Sequence, residues 1–317
     1  MREFWIQKNE AGQRFDKYLK KHLCYASGNF IYKMLRKKNI VLNDKKAAGS
    51  EKLNINDNVK MFFSEETYQK FTSSSEEKRS AEELPKLQPD RLPFQILYED
   101  EDVLMINKPA GMLSQKAKPD DISANEYILS YLLLTGSIKE DEFGTFRPSV
   151  CNRLDRNTSG ILIAGKTLKG LQEMSDRLKT REIDKYYRGI AEGVIAGPCR
   201  LKGYLHKDWE QNKVFILAEP KSKEDKWIET EYVPIQNFSN ATLLEINLIT
   251  GRSHQIRAHL ASIGHPIVGD YKYGAAKRKG ISTQLLHAYR ICLKNREEVI
   301  APLPEAFQKA IELFEKE

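Results

Sequence analysis

Apolar residues along this 317-residue chain fall into short blocks with two different periods. Up to residue 63 the helical period comes first. Arg14-Phe15-Asp16-Lys17-Tyr18-Leu19 opens a short amphipathic helix, and Phe30, Ile31, Met34 and Leu35 form the stripe of a second. Ile40-Val41-Leu42 then reads as a strand entering the turn at Asn43-Asp44, and residues 53–61 as a turn and a closing strand. Beyond residue 90 the strand signals dominate. Residues 96–99 and 103–107 are apolar runs joined by an acidic turn, and residues 161–164 form an uninterrupted apolar run that predicts a buried strand. Strands are also expected near residues 186–191, 227–235 and 242–249. Thr167 precedes Leu168, Leu171, Met174 and Leu178 at helical spacing, which predicts an N-capped helix. Strands outnumber helices and do not alternate with them. The expected class is therefore α+β, with a mixed and mostly antiparallel sheet.

Between these two patterns lies a stretch with little periodicity. Residues 64–90 contain three consecutive serines, mixed charges, Pro85 and Pro89, and read as a linker. The expected organisation is a small domain over residues 1–63, a linker over 64–90 and a larger domain over 91–317. Charge follows the same division. Residues 1–63 carry 14 Lys+Arg against 6 Asp+Glu, a net of +8, and the remainder of the chain carries −1. A basic appendage on a near-neutral body points to a polyanion as partner. The four cysteines are scattered without a C-x-x-C pair, which fits a reducing compartment and gives no zinc ligand set. The best apolar stretch, residues 127–134, is interrupted by Ser130 and is too short to span a membrane. The N-terminus has no apolar run of the signal-peptide kind. A cytoplasmic protein is expected.

Three segments bear candidate chemistry. In Cys151-Asn152-Arg153-Leu154-Asp155-Arg156-Asn157-Thr158-Ser159-Gly160, one carboxylate stands between two arginines on a turn that enters the buried strand. Flanking cations favour its charged form. In Asp184-Lys185-Tyr186-Tyr187, strand alternation puts Lys185 and Tyr187 on one face. In Thr250-Gly251-Arg252-Ser253-His254-Gln255-Ile256-Arg257-Ala258-His259-Leu260, a helix is expected to begin near Ser253, with Ile256 and Leu260 inward and His254 and Arg257 sharing another face. His254 and His259 are five apart and do not share a helical face as a zinc pair would, so no metal is expected. Phosphate-binding loops and nucleophile elbows are absent from the sequence, and nothing points to NAD, flavin or ATP as a cofactor.

The segment around Asp155 resembles the R-L-D-x-x-T-S-G element of the RNA pseudouridine synthases of the RluA, RluC and RluD type. The resemblance extends to the K-P-A-G bend at Lys108–Gly111, the K-x-Y pattern at Lys185–Tyr187 and the G-R-x-H-Q-I-R element at Gly251–Arg257. It implies the pseudouridine synthase fold, with Asp155 catalytic, Arg257 its ion-pair partner and Tyr187 packed on the target uracil. Residues 13–63 resemble an S4-like RNA-binding module, which implies that Lys33, Arg36 and Lys37 face RNA. Arg153, Arg252 and His254 are expected to contact RNA at the cleft. Two positions depart from the family: Asn152 and Ser114-Gln115 stand where histidine is common, and both are expected to alter RNA contacts.

The implied reaction exchanges a C–N glycosidic bond for a C–C bond. It has no net redox change and no group donor, so it needs no cofactor. The resemblance implies a monomeric enzyme acting on RNA, with large-subunit (23S) ribosomal RNA as the leading target and tRNA as the alternative. A non-catalytic ribosome-assembly factor would have no use for Asp155, Tyr187 and Arg257 together. A glycoside hydrolase would need two flanking carboxyl groups, and the sequence offers one convincing candidate.

Overall fold

The computed structural model describes residues 1–72, 84–88, 91–140, 143, 146–208, 210, 213–293 and 297–317. The N-terminal part contains β1 (Arg2–Trp5), α1 (Phe15–His22), α2 (Gly28–Arg36), β2 (Ile40–Leu42), β3 (Lys45–Lys46), β4 (Asn58–Met61) and α3 (Glu65–Phe71). Its four strands form an antiparallel sheet in the order β1-β4-β2-β3. The two expected helical stripes lie where the sequence puts them. Phe15, Tyr18 and Leu19 of α1 and Ile31, Met34 and Leu35 of α2 close on Val59 and Met61 in a core of their own. Ser27 starts α2 by accepting a hydrogen bond from the Phe30 amide.

Two features of this part differ from the sequence reading. β1 adds a strand that Arg2-Glu3-Phe4-Trp5 does not announce by alternation. The expected linker also begins too early. Ser64 caps α3 by accepting from the Thr67 amide, and Tyr68 of that helix is buried in the N-terminal core. The serines of the expected linker, at 73–75, lie outside the described residues.

The larger part runs β5 (Gln95–Glu99), β6 (Val103–Lys108), α4 (Ala124–Leu134), β7 (Ser149–Val150), β8 (Ser159–Gly165), α5 (Leu168–Lys179), β9 (Ile183–Glu192), β10 (Cys199–Asp208), β11 (Lys213–Leu217), β12 (Lys226–Asn237), β13 (Ala241–Asn247), α6 (Gln255–Ser262), β14 (Leu286–Leu293), β15 (Glu298–Ile300) and α7 (Glu305–Lys316). Its strands form one sheet in the order β11-β10-β12-β13-β9-β14-β8-β6-β5, with β15 on β14 and β7 on β8. Every pairing in it is antiparallel except that of β8 with β14. The mixed α+β architecture expected from the sequence is what the chain adopts.

Strand alternation explains how this sheet is covered on both faces. Leu104 and Ile106 of β6 and Leu162 and Ala164 of β8 pack with Ile128, Leu129 and Leu132 of α4 and Ile256 and Leu260 of α6. The intervening Val103, Met105, Ile161 and Ile163 pack instead with Met174 of α5. Phe307, Ala310 and Phe314 of α7 cover Ile190 and Leu243 farther along. Thr167 caps α5 as expected, accepting from the Gly170 amide. A fully buried leucine such as Leu162 contributes about 2 kcal/mol by leaving water, so Leu162→Ala would remove that and leave a cavity.

Candidate active site

Asp155 sits on the loop between β7 and β8, and every side of that loop is tied to the framework. Asn152 imitates a strand neighbour: its side chain accepts from the Ile163 amide at 2.8 Å and donates to the Ile161 carbonyl at 3.2 Å. The Ser114 hydroxyl donates to the Leu154 carbonyl at 2.8 Å and accepts from the Leu154 amide at 2.9 Å. Lys108 is wholly buried, and its ammonium donates to the carbonyls of Pro109, Met112 and Arg156. Burial pushes the Lys108 pKa down to about 8, against an upward pull from Asp155. Gln284 donates to the Thr158 hydroxyl at 3.0 Å, and Ser159 shares a hydrogen bond with Nδ1 of His287 at 2.8 Å. Gly160 follows with φ +111°. A Cβ there would lie 2.2 Å from the Ala288 carbonyl oxygen, so only glycine lets β8 meet β14 at this point.

Arg257 comes from α6 and reaches Asp155 with Nη1 at 2.8 Å. Its other edge is held by Asp270, through Nε at 2.6 Å and Nη2 at 2.8 Å. Burial works against the Arg257 charge, but Asp270 first and Asp155 second outweigh it, and the net direction is upward. The Tyr273 ring lies 5.0 Å from the guanidinium carbon and donates or accepts at its hydroxyl with Nδ1 of His254, 3.0 Å away. His254 precedes α6 in the left-handed conformation, φ 57°, which turns its Nε2 to within 3.9 Å of the same Asp155 oxygen. Burial lowers the His254 pKa below its ordinary value, opposed by Asp155.

The opposite wall is Tyr187 on β9. It is 7% exposed and packs with Leu244, Ile246 and Leu286 at the base of the cleft. Burial raises its hydroxyl pKa, and the nearby Asp155 charge adds to the rise. Together these walls enclose a cleft of about 890 Å³ lined by Asp155, Tyr187, His254 and Arg257. The lining thus combines a carboxylate braced by an arginine with an aromatic ring. That pairing suits a planar ring brought beside a nucleophile or base.

Residues 102–262 match the family of RNA pseudouridylate synthases. The chain belongs to that family. It is an RNA pseudouridine synthase, an isomerase whose substrate is RNA. The chain is 28% identical to the ribosomal large subunit pseudouridine synthase C of Vibrio vulnificus, over 97% of this chain and 94% of the relative. It is 29% identical to the ribosomal large subunit pseudouridine synthase D of Borreliella burgdorferi, over 92% and 84%. An uncharacterised RNA pseudouridine synthase of Synechocystis is 32% identical over 69% of this chain and 68% of its own. Among solved structures, human RNA pseudouridylate synthase domain containing 4 has the same fold, with a TM-score of 0.56 at 20% identity, over 69% of this chain and 92% of that one.

Within this pseudouridine synthase the structure brings Asp155, Arg257, His254 and Tyr187 to one cleft, with Arg153 and Arg252 exposed along its lining. Lys33, Arg36 and Lys37 lie elsewhere, on the exposed side of α2. The cation in contact with Asp155 is Arg257, as the resemblance implies, and both flanking arginines are exposed. Two expectations need correction. Asn152 and Ser114 line the cleft but spend their side-chain hydrogen bonds on the Asp155 loop, which leaves Gln115 as the exposed member of these positions. A second carboxylate, Asp270, is present at the site, but both its oxygens are engaged by Arg257 and it is 2% exposed, so it has no free oxygen for acid–base work on a glycoside. The signal for Asp270 in the sequence is slight: a single acid in the glycine-rich run 264–274, which also holds His265 and Lys272. His254 and His259 diverge, the latter bonding Thr230 at 2.8 Å. Among the described residues no group of three or more His, Cys, Asp or Glu is placed to hold a metal.

Proposed function

We propose that this enzyme isomerises particular uridines of large-subunit ribosomal RNA, with Asp155 as its catalytic residue. The observation that carries the assignment of Asp155 is its ion pair with the buried Arg257, facing Tyr187 across the cleft. The large-subunit target is supported by relatives that carry that name over nearly the whole length of both chains. The enzyme acts as a monomer in the cytoplasm. Among the described residues no helix is long and apolar enough to cross a membrane.

The target base is flipped from stacked RNA at a cost of a few kcal/mol, which contacts elsewhere offset. Exposed Arg153 and Arg252 at the cleft, His254 within it, and Lys33, Arg36 and Lys37 on α2 supply those contacts. Tyr187 stacks on the uracil. Asp155 acts as nucleophile or base, by attack at C1′, addition at C6 or removal of the C2′ proton. Arg257 aims the carboxylate, and Asp270 keeps Arg257 from turning away. Uracil then turns over within the cleft and rejoins ribose through C5. Burial keeps the Tyr187 hydroxyl protonated, so it assists loss of the C5 proton only as a relay, accepting at its oxygen while its own proton passes to water.

The test is to map pseudouridines in ribosomal RNA and tRNA from cells with and without the gene. A large-subunit position should disappear, return with the wild-type gene, and stay absent with Asp155→Asn. Purified Asp155→Asn should keep RNA affinity within about tenfold, or about 1.4 kcal/mol. Loss of a tRNA position instead would replace the ribosomal reading, and turnover by Asp155→Asn would end the assignment of the catalytic residue.

A further inference from the structure

Among the cations that line the cleft, Arg257 is held by Asp155 and Asp270, whereas several others have no such partner. Lys179, Arg181, Lys185 and Arg252 line the cleft, and none of their side chains makes an ion pair or hydrogen bond among the described residues. Three of them are exposed and reach into water. Lys185 is different. It is half-buried on β9, two residues from Tyr187 and on the same face of the strand. Its ammonium lies beside the turn that follows β13, 3.6 Å from where a Cβ on Gly251 would stand. Burial lowers its pKa and the neighbouring Arg181 lowers it further, against an upward pull from Asp184. A half-buried ammonium next to another cation, with no acceptor in contact, is an unfavourable arrangement in the free enzyme. Lys108 is the internal comparison: it is also buried, yet three carbonyls satisfy it.

We propose that Lys185 binds a backbone phosphate next to the flipped uridine. Two residues along a strand span about 6.6 Å, comparable to the reach from a uridine ring to its own phosphate. With the ring on Tyr187, the phosphate therefore falls beside the Lys185 ammonium and the open flank of Gly251. The phosphate supplies the acceptor that the free enzyme lacks and neutralises the repulsion from Arg181. A base edge is a poorer occupant, because its acceptors are neutral and would leave the ammonium charge uncompensated. Lys185 is thus a substrate-binding residue that fixes how deep the flipped nucleotide sits. This rests on the reading of Asp155 and Tyr187 as the pair that receives the base. The test below reads binding, so it fails or succeeds separately from the turnover test of Asp155.

The experiment measures affinity across a salt series for the full chain and for Lys185→Met and Lys185→Arg, on an RNA hairpin carrying the mapped uridine. Two further hairpins each replace one phosphate flanking that uridine with a neutral methylphosphonate. Lys185→Met should bind about tenfold more weakly, and its slope of log affinity against log salt should fall by about 0.7 to 0.9. Lys185→Arg should restore most of the affinity. One of the two methylphosphonates should weaken wild type about tenfold and Lys185→Met by less than about twofold, because both changes delete the same contact. A purely structural lysine would instead lower the urea midpoint and leave the salt slope alone. An unchanged slope in Lys185→Met, or methylphosphonates that cost it as much as they cost wild type, would overturn the proposal.

Discussion

Asp270 grips the far edge of Arg257 through Nε and Nη2 and leaves Nη1 alone to face the cleft. The fork fixes the plane of the guanidinium before any RNA arrives. Asp270→Asn removes the charge from one half of a buried pair, which costs about 3 kcal/mol of folding stability. Turnover should fall further than that loss explains, because Arg257 is then free to rotate off Asp155. Urea unfolding and single-turnover rates under fully folded conditions check this. Wild-type turnover in Asp270→Asn would mean that Arg257 needs no second anchor.

Ser114 is expected to behave as a positioning residue for the loop that carries Asp155. Its hydroxyl serves both the amide and the carbonyl of Leu154, next to Asp155. Ser114→Ala leaves two buried backbone groups without partners, at a cost of about 1–3 kcal/mol. The rate of the chemical step should drop about tenfold, roughly 1.4 kcal/mol on the barrier, with KM nearly unchanged. A variant that instead raises KM alone would return Ser114 to the role of an RNA contact.

Acid should weaken the fold over a defined interval. His22, His259 and His287 are held neutral by burial, with pKa values lowered from 6.5 to about 4. The unfolded chain binds protons at these sites first, so stability is complete above about pH 6.5 and is lost as pH falls from there toward about 4. The slope approaches about 1.4 kcal/mol per pH unit for each histidine. Urea midpoints measured between pH 7.5 and 4.5 should decline steadily below 6.5. A flat profile would show that these rings protonate without penalty.

The basic N-terminal part should set salt dependence more than chemistry. Its core is built from its own residues, including Tyr68 of α3, so the deletion that respects the structure removes residues 1–72. That deletion takes away a net charge of +7, from 15 Lys+Arg and 8 Asp+Glu. RNA affinity should fall and its slope against salt should flatten. Pseudouridine should still form at high RNA concentration. Equal slopes for full-length and shortened enzyme would mean that α2 does not touch RNA.

The sequence made the site legible where chemistry is local and obscured it where chemistry is assembled. Asp155, Tyr187 and Arg257 stand in compact strings whose residue types announce a turn, a strand and a helix start. Asp270 is 13 residues from its arginine and reads as an ordinary turn acid, because its function depends on how the chain returns after α6. Ser114 lies 40 residues from the backbone it clamps. Its polarity suggested a surface contact, whereas burial made it an internal splint. The helix at Glu65–Phe71 was announced by Ser64 and the acids after it, but the polar stretch that follows masked the signal. Strand order was the least accessible property, since alternation reports which face a residue occupies and not which strand lies beside it.

That strand order has a consequence for the newly made chain. Asp155 enters the sheet with β8 and Tyr187 with β9, yet the two strands are not neighbours: β14, from residue 286 onward, lies between them. Until β14 has left the ribosome, the strands that carry Asp155 and Tyr187 lack the one that joins them in the sheet. A nascent polypeptide can therefore display its basic N-terminal part to RNA long before it can alter a uridine. A chain released after residue 285 is expected to bind RNA and to make no pseudouridine, so that competence waits for β14.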